Sequence, residues 1–344
     1  LKKFLNVETV YYIAWWNLEN LLDVEDAPRP EWRTRKIGRY LQGWNEQVLD
    51  RKISNLASVL AEMNNGTGPD IAGVCEVENE RLLSLLTEKL APTGRTYAYV
   101  HHASFDKRGI DIAFLYDKDL FNVPQDLIFT VRLHKRSATR DLLQAEFHTR
   151  RGNSLIIIAN HWPSRTGGQY ESEPFRIMAA ETLSYWLYQI AEKRGNDQPV
   201  LVMGDFNDEP FNRSITDYAL STANIRQIRN AKKDHNGIFT PYLLNLLWNE
   251  MADGKGTLLY QGKWSLLDQI MVNRAIVLNK GFTVLSAGVY DHPDLISNRH
   301  APMAFGAPGK TTKDKNGNPK EILGRYWPKG YSDHLPVVVL LKEN

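Results

Sequence analysis

Val200-Leu201-Val202-Met203-Gly204-Asp205-Phe206-Asn207-Asp208 is an apolar run that stops at a glycine and then presents a carboxylate and a carboxamide. The run is too short for a helix, and its glycine boundary reads as the end of a buried strand. Side chains alternate along a strand, so Asp205 and Asn207 are expected on one face with Phe206 on the other. Polar groups at the carboxyl end of a buried strand are where α/β proteins build their sites.

Four other segments share this grammar of an apolar run meeting acids, amides or histidine. They are Trp16-Asn17-Leu18-Glu19-Asn20, Cys75-Glu76-Val77-Glu78-Asn79, Asn160-His161-Trp162-Pro163-Ser164-Arg165 and Tyr331-Ser332-Asp333-His334-Leu335-Pro336. Any one Asn or Asp is as readily a turn residue, because its side chain bonds nearby backbone. A lone His161 or His334 is more often simply satisfied than catalytic. Glu76 is harder to dismiss, since a carboxylate directly after an apolar run needs a partner or a cation. Five such coincidences point to one shared cleft.

Candidate strands recur along the chain, at 11–16, 71–75, 97–101, 110–116, 127–133, 141–147, 155–159, 200–203, 266–272 and 336–341. Leu49, Ile53, Leu56, Leu60 and Met63 keep the spacing of a core-facing helical stripe. Phe175, Ala179, Leu183, Trp186 and Ile190 do the same, with Ser172 as the expected cap, and a shorter helix is expected at 80–90. Interspersed strands and helices, with no linker-like shift in composition, imply one α/β domain over residues 1–344 with two sheets packed together.

The 344 residues are 42% hydrophobic, enough for a sizeable core, and the net charge of +2 does not demand a polyanionic partner. The single cysteine, Cys75, lies in an apolar run and rules out an internal disulfide. No stretch is long and apolar enough for a transmembrane helix. The chain starts at Leu1, so a removed or omitted leader leaves the compartment open, and a monomer is expected. Residues 291–331 read as a long surface loop, with seven basic residues between Arg299 and Lys329 against Asp314 and Glu321, and with Tyr326 and Trp327 among them. Arg33, Arg35, Lys36 and Arg39 alternate with Trp32, Tyr40 and Trp44. Each stretch reads either as solvated charge or as a basic-aromatic rim for a polyanion.

Two histidines, several carboxylates and two carboxamides, with no cysteine among them, suit a hard divalent cation, Mg²⁺ or Mn²⁺, better than zinc. Such a cation with histidines for proton transfer points to phosphoester hydrolysis.

The motifs WNLEN (16–20), GVCEVEN (73–79), RGIDIAFLYD (108–117), NHWPSR (160–165), MGDFNDEP (203–210), KWSLLDQIMV (263–272) and YSDHLPV (331–337) resemble the endonuclease/exonuclease/phosphatase superfamily nearly end to end. That group includes pancreatic-type DNase, exonuclease III-like repair enzymes, neutral sphingomyelinases and inositol polyphosphate 5-phosphatases. NHWPSR and GKWSLLDQI are most similar to a bacterial branch of unassigned substrate. The resemblance implies a DNase I-like four-layer α/β/β/α sandwich with its cleft at one edge of two mostly antiparallel sheets. It implies Glu76 as principal metal ligand, with Asn17, Asp333 and Glu19 near the metal. Asp205 and Asn207 would position water and a phosphate oxygen, His334 would be the base held by Asp268, and His161 would meet the scissile phosphate. Arg108 and Arg165 would contact substrate. Abasic-site repair relatives carry tyrosine at the place of His161, which turns the expectation away from that activity.

The expected function is Mg²⁺-dependent phosphodiester hydrolysis, first of DNA, with a phospholipid or small phosphoester as the alternative and an inactive binding module as a remote one. A lipid substrate calls for exposed apolar loops, for which Leu243, Leu244, Leu246, Leu247 and Trp248 are the candidates, though core or a lid is the first reading.

Overall fold

A computed structural model describes residues 8–134, 139–298, 300–306, 311–313, 319–321 and 327–344. Two large sheets face each other. The first has six strands in the order Phe282–Val289, Val337–Glu343, Val10–Leu21, Ile71–Val77, Asp111–Asp117 and Tyr97–His101. The second runs Ser221–Thr222, Leu243–Asn245, Asp268–Asn273, Val200–Asp205, Ser154–His161, Leu142–Thr149 and Phe121–Asn122, with Phe129–Val131 also on Leu142–Thr149. Most neighbours are antiparallel. The exceptions are Val10–Leu21 with Ile71–Val77, Ser154–His161 with Val200–Asp205, and the short pair Ser221–Thr222 with Leu243–Asn245.

The inner faces meet so closely at Gly73 that an added side chain would force its neighbours to shift. A Cβ on Gly73 would lie 2.6 Å from the Met203 methyl and 2.8 Å from the Trp15 ring. Phe147 of the second sheet meets Phe114 of the first edge-on, with centroids 5.5 Å apart, a favoured aromatic geometry. Helices close both outer faces. Helix Glu46–Gly66 turns Leu49, Ile53, Leu56 and Leu60 into the core. Helix Gln169–Arg194 lays Ala179, Leu183, Leu187 and Ile190 over Ile156, Ile158, Val200 and Val202 of the second sheet. The result is the expected α/β/β/α order of layers.

Several local expectations need correction. Ser172 does not cap its helix. The helix begins at Gln169 after Gly168, and the Ser172 hydroxyl donates back to the Gly168 carbonyl at 2.6 Å. The proposed strand at 127–133 shrinks to Phe129–Val131, because a 3-10 turn at Gln125–Leu127 follows Pro124. The edge strand Phe282–Val289 and the hairpin Leu258–Tyr260/Lys263–Ser265 were not anticipated, since their half-exposed residues give no continuous apolar run. In the 291–331 stretch, Thr311–Lys313 pairs with Pro319–Glu321, while Arg299, Asp314 and Tyr326 lie outside the described residues.

Because the sheet contact at Gly73 has no room, Gly73→Ala should lower unfolding free energy by about 1–3 kcal/mol in urea denaturation. Trimming the opposing side chain as well, with Met203→Ala, should relieve part of that strain relative to additivity. Unchanged stability in Gly73→Ala would contradict the packing described.

Candidate active site

The site is assembled first by register. His161, Asp205 and Asp268 are direct neighbours across three adjacent strands, His161 opposite Asp205 and Asp205 opposite Asp268. Residues opposed in this way project to the same face, so three polar side chains stand in a row at one end of the second sheet. The facing sheet supplies Asn17, whose amide donates to Asp205 Oδ2 at 3.0 Å and ties the two sheets together at the cleft.

Asp268 is fully buried, and both of its oxygens are engaged. Oδ1 accepts the Trp15 indole N–H at 2.9 Å, and Oδ2 lies 2.6 Å from His334 Nδ1. The His334 ring is thereby held with Nε2 as its second functional atom. Burial alone would pull the His334 pKa down. The Asp268 charge and hydrogen bond, with Asp205 and Asp333, outweigh it and hold the imidazole well above its ordinary value. The backbone is fixed as well, since the His334 carbonyl accepts the Trp16 indole at 2.8 Å and its N–H donates to Ser332 Oγ at 3.1 Å.

His161 is the opposite case. Burial, then the charges of Arg140, Arg108 and His334, push its pKa well below the usual histidine value, so it is neutral. Its Nε2 lies 3.7 Å from both Glu76 Oε1 and Asp205 Oδ2, and its Nδ1 is buried with no hydrogen-bond partner among the described residues. The pKa values of two histidines in one cleft are therefore pushed in opposite directions, a pattern that accompanies divided acid-base roles.

The carboxylates are crowded. Burial, then the charge of Asp268, raises the Asp205 pKa to about 6 despite hydrogen bonds from the Asn207 N–H and Asn17. Asp333 is also raised, by burial and by the charges of Glu76 and Asp205, against the opposing pull of His334 and Lys52. Glu76 Oε2 accepts the Asn20 N–H at 2.8 Å, whereas among the described residues Oε1 has only the longer contacts to His161 and, at 4.0 Å, to Arg108. A buried carboxylate oxygen with long contacts, beside raised aspartates, is the setting that a divalent cation stabilises. The donor set of Glu76, Asp333 and Asn17 fits a hard cation with oxygen preference. Asp205, Asp268 and His334 also offer ligand atoms within 4.8 Å of one another. In that trio both Asp268 oxygens already accept hydrogen bonds, as Asn17 Oδ1 of the first set does from the Glu19 N–H at 3.0 Å.

Backbone irregularity aims these groups. The register of Ile71–Val77 against both neighbours shifts between Cys75 and Val77, and Glu76 within that bulge has φ +66°. The first strand shifts between Asn17 and Leu21, with Glu19 and Asn20 at φ +52° and +49°. Asn207 follows at +51°. Left-handed non-glycine residues are uncommon and cluster at functional sites.

This irregularity relocates one expected site residue. Strict alternation puts Glu19 on the face of Asn17, but the bulge turns its carboxylate to the N–H groups of Phe305 and Gly306, at 2.7 and 3.0 Å. Buried Lys52 lies 3.6 Å from Glu19 and donates to the Tyr331 carbonyl at 2.7 Å. Glu19 thus clamps the 300-loop behind Asp333. Arg165 is also used differently from the expected substrate contact. It donates to the Asn207 carbonyl at 2.7 Å and to Asn212 at 3.0 Å, with Asp208 at 3.3 Å, so it braces the turn that carries Asn207. Asn207 itself donates from its amide to the Trp162 carbonyl at 3.1 Å. Arg108 stays at the cleft, a third exposed, beside Glu76.

Sequence reasoning missed Trp15, Arg140 and Lys52. Trp15 and Lys52 sit in core-facing patterns that hide a polar task, and Arg140 has no local signature. Arg140 pairs with Asp106 at 3.1 Å and donates to the Trp162 carbonyl at 3.1 Å. With Arg108 it lines a cavity of about 250 Å³ together with Asp106, Thr139, Pro163 and Phe175. A larger space of about 680 Å³, near Gly152 and Lys280, adjoins the opposite ends of the same strands and reaches none of the clustered groups.

Arg165→Ala should lower the thermal midpoint and reduce kcat with little change in KM, because the Asn207 turn loosens while no substrate contact is lost. A raised KM at unchanged midpoint would instead make Arg165 a direct substrate ligand.

The comparisons with known proteins agree with this geometry. Residues 12–343 match the family model described as Endonuclease/Exonuclease/phosphatase family. No curated protein matches the chain. Among solved structures, the chain is similar to an endonuclease/exonuclease/phosphatase family protein from Bacteroides thetaiotaomicron, at 16% identity and TM-score 0.55, covering 98% of this chain and 99% of that one. A mannosyl-6-phosphatase from the same species gives 16% identity and TM-score 0.53, covering 96% and 99%. TDP2 from D. rerio, complexed with a single-strand DNA product, gives 14% identity and TM-score 0.54, covering 97% and 99%. Identities this low speak to the fold alone, whereas the family match spans nearly the whole chain: it belongs to the endonuclease/exonuclease/phosphatase family, whose members hydrolyse phosphoesters.

Proposed function

We propose that the protein is a Mg²⁺-dependent phosphodiesterase, acting as a monomer, with nucleic acid as its substrate class. The observation that carries this reading is the Trp15–Asp268–His334 chain of hydrogen bonds, which faces Asp205 in the same cleft as Glu76 and His161. Glu76, Asn17 and Asp333 would hold the cation, which when bound would polarise a phosphoryl oxygen and, by its charge, draw the His334 pKa back toward neutrality.

In this mechanism His334 Nε2 takes the proton of the attacking water as the oxygen adds to phosphorus, while the P–O bond opposite it breaks and the departing alkoxide takes a proton from solvent. Asp268 keeps the ring in the required tautomer and stabilises the imidazolium. Asp205, with oxygens fixed by Asn17 and the Asn207 N–H, orients the water. Neutral His161, the Asn207 side chain and Arg108 meet the charge that builds on the phosphoryl oxygens, usually the largest catalytic contribution. Arg140, held by Asp106, adds positive potential behind His161.

A lipid substrate loses its best support. Leu243 and Leu247 are fully buried and Leu244 and Leu246 pack against the core, which leaves only the half-buried Trp248 of this segment to meet a membrane. No helix among the described residues is long and apolar enough to cross one. The fold itself does not choose between nucleic acid and sugar phosphate, since TDP2 with its single-strand DNA product and the mannosyl-6-phosphatase share it.

The decisive experiment is the pH dependence of bis-p-nitrophenyl phosphate hydrolysis with Mg²⁺ for wild type and Asp268→Asn. The Asp268 charge favours the His334 imidazolium, so removing it lowers the His334 pKa and extends the neutral, proton-accepting form to lower pH. The acidic limb of kcat/KM should therefore move to lower pH, while the plateau falls by about 10²–10⁴-fold. An unmoved limb would remove His334 as the base, and loss of all dependence on Mg²⁺ would remove the metal chemistry.

A further inference from the structure

Resting on the phosphodiesterase reading, we propose that helix Glu31–Leu41 is the strand-recognition element of the active site, with Trp32 stacking an unpaired base of a single-stranded nucleic acid and Arg33 contacting a phosphate beside the scissile one. The helix is fixed to the catalytic framework. Just before it, Arg29 donates to both carboxylate oxygens of Glu78, at 2.5 and 2.8 Å, and to the Val24 and Asp23 carbonyls, each at 2.7 Å. Glu78 lies two residues beyond Glu76, so the helix start and the central carboxylate share one anchored segment.

Its first turn then reaches the cleft. The Arg33 guanidinium lies directly on Gly109, where any Cβ would collide with it, and Gly109 follows the cleft residue Arg108. Gly109 adopts φ +65°. Among the described residues, Arg33 Nε is buried with no hydrogen-bond partner, a donor held against the loop that carries Arg108. Such a donor is costly unless something accepts from the group. Beside it Trp32 is 49% exposed, with the Arg33 guanidinium 5.4 Å from its ring centroid.

The other aromatics of this stretch are not available in the same way. Trp44 is buried and donates to the Leu22 carbonyl at 2.8 Å, and Tyr40 is partly buried against the core. The Arg39 side chain lies outside the described residues. Arg35 pairs loosely with Glu31 at 3.6 Å on the exposed face. One exposed indole among guanidiniums suits a splayed base and its flanking phosphates, the combination used by single-strand binders. A duplex would keep its bases stacked and offer the indole nothing.

The test measures binding by fluorescence anisotropy, with the full chain in EDTA so that no turnover occurs. The probes are a labelled oligothymidylate and an abasic oligomer of equal length. Trp32→Ala should weaken oligothymidylate binding by about tenfold and leave abasic binding unchanged. Trp32→Phe should restore most of the loss, which separates stacking from a folding defect. Arg33→Ala should weaken both probes and reduce the slope of log affinity against log salt by about 1. Equal losses on the two probes, no effect of Trp32→Ala, no binding of either oligomer by wild type, or preference for anionic lipid vesicles would each overturn the proposal. Wild-type hydrolysis of bis-p-nitrophenyl phosphate tests the phosphodiesterase reading separately, so the two can fail independently.

Discussion

Crowded negative charge at the end of two sheets is the constraint on which the rest of the structure depends. Asp205 and Asp268 are forced side by side by strand register, and Glu76 and Asp333 approach from the facing sheet. Two like charges within 4.8 Å repel by roughly 3–4 kcal/mol at an effective dielectric of about 20. Hydrogen bonds do not remove that repulsion, and the molecule answers it in three ways. Asp268 is paired with His334, whose pKa it holds well above the ordinary value, the Asp205 pKa is driven up to about 6, and Glu76 keeps one oxygen with only long contacts among the described residues. The first two are internal. The third leaves a carboxylate oxygen where the proposed cation would sit.

Backbone strain follows from the same constraint. A regular strand would carry Glu76 to a position fixed by its pleat. The bulge at Glu76 re-aims it, and the left-handed pair Glu19–Asn20 brings the Asn20 N–H to its carboxylate. The structure holds these unfavoured conformations by close packing on either side. Gly73 against Met203 and Trp15 brings the sheets together just below the site, and Trp15 continues upward to the Asp268 carboxylate. Core and catalytic geometry thus share a residue.

The fold was legible because buried strands are continuous apolar runs that end in polar residues, and because helix Glu46–Gly66 kept a clean stripe; in helix Gln169–Arg194 the expected stripe holds at Ala179, Leu183 and Ile190, while Phe175 is exposed and Leu187 is buried in place of Trp186. Elements without such a run, such as the edge strand Phe282–Val289, left no signal. The cluster of His161, Asp205, Asp268 and His334 was legible as residue types, and register supplies their adjacency. Glu19 shows where the reading stopped: a rule of alternation holds only while the strand is regular, and bulges have no sequence signature in this stretch. Arg165 shows another limit. A cation in a motif reads as a substrate contact, but neighbouring Asp208 and Asn212, brought round by the following turn, claim it first. Trp15 and Lys52 reverse the problem, being buried residues whose polar ends act at long range in sequence.

The central claim is that Glu76 holds a divalent cation required for phosphodiester hydrolysis. Calorimetric titration of Mg²⁺ and Mn²⁺ into wild type and Glu76→Gln, with the thermal midpoint recorded for both, tests it most directly. The account predicts saturable binding to wild type, loss of most of that affinity in Glu76→Gln, and no loss of the metal-free fold, since removing one buried charge relieves repulsion. Equal affinity in the two proteins would contradict it.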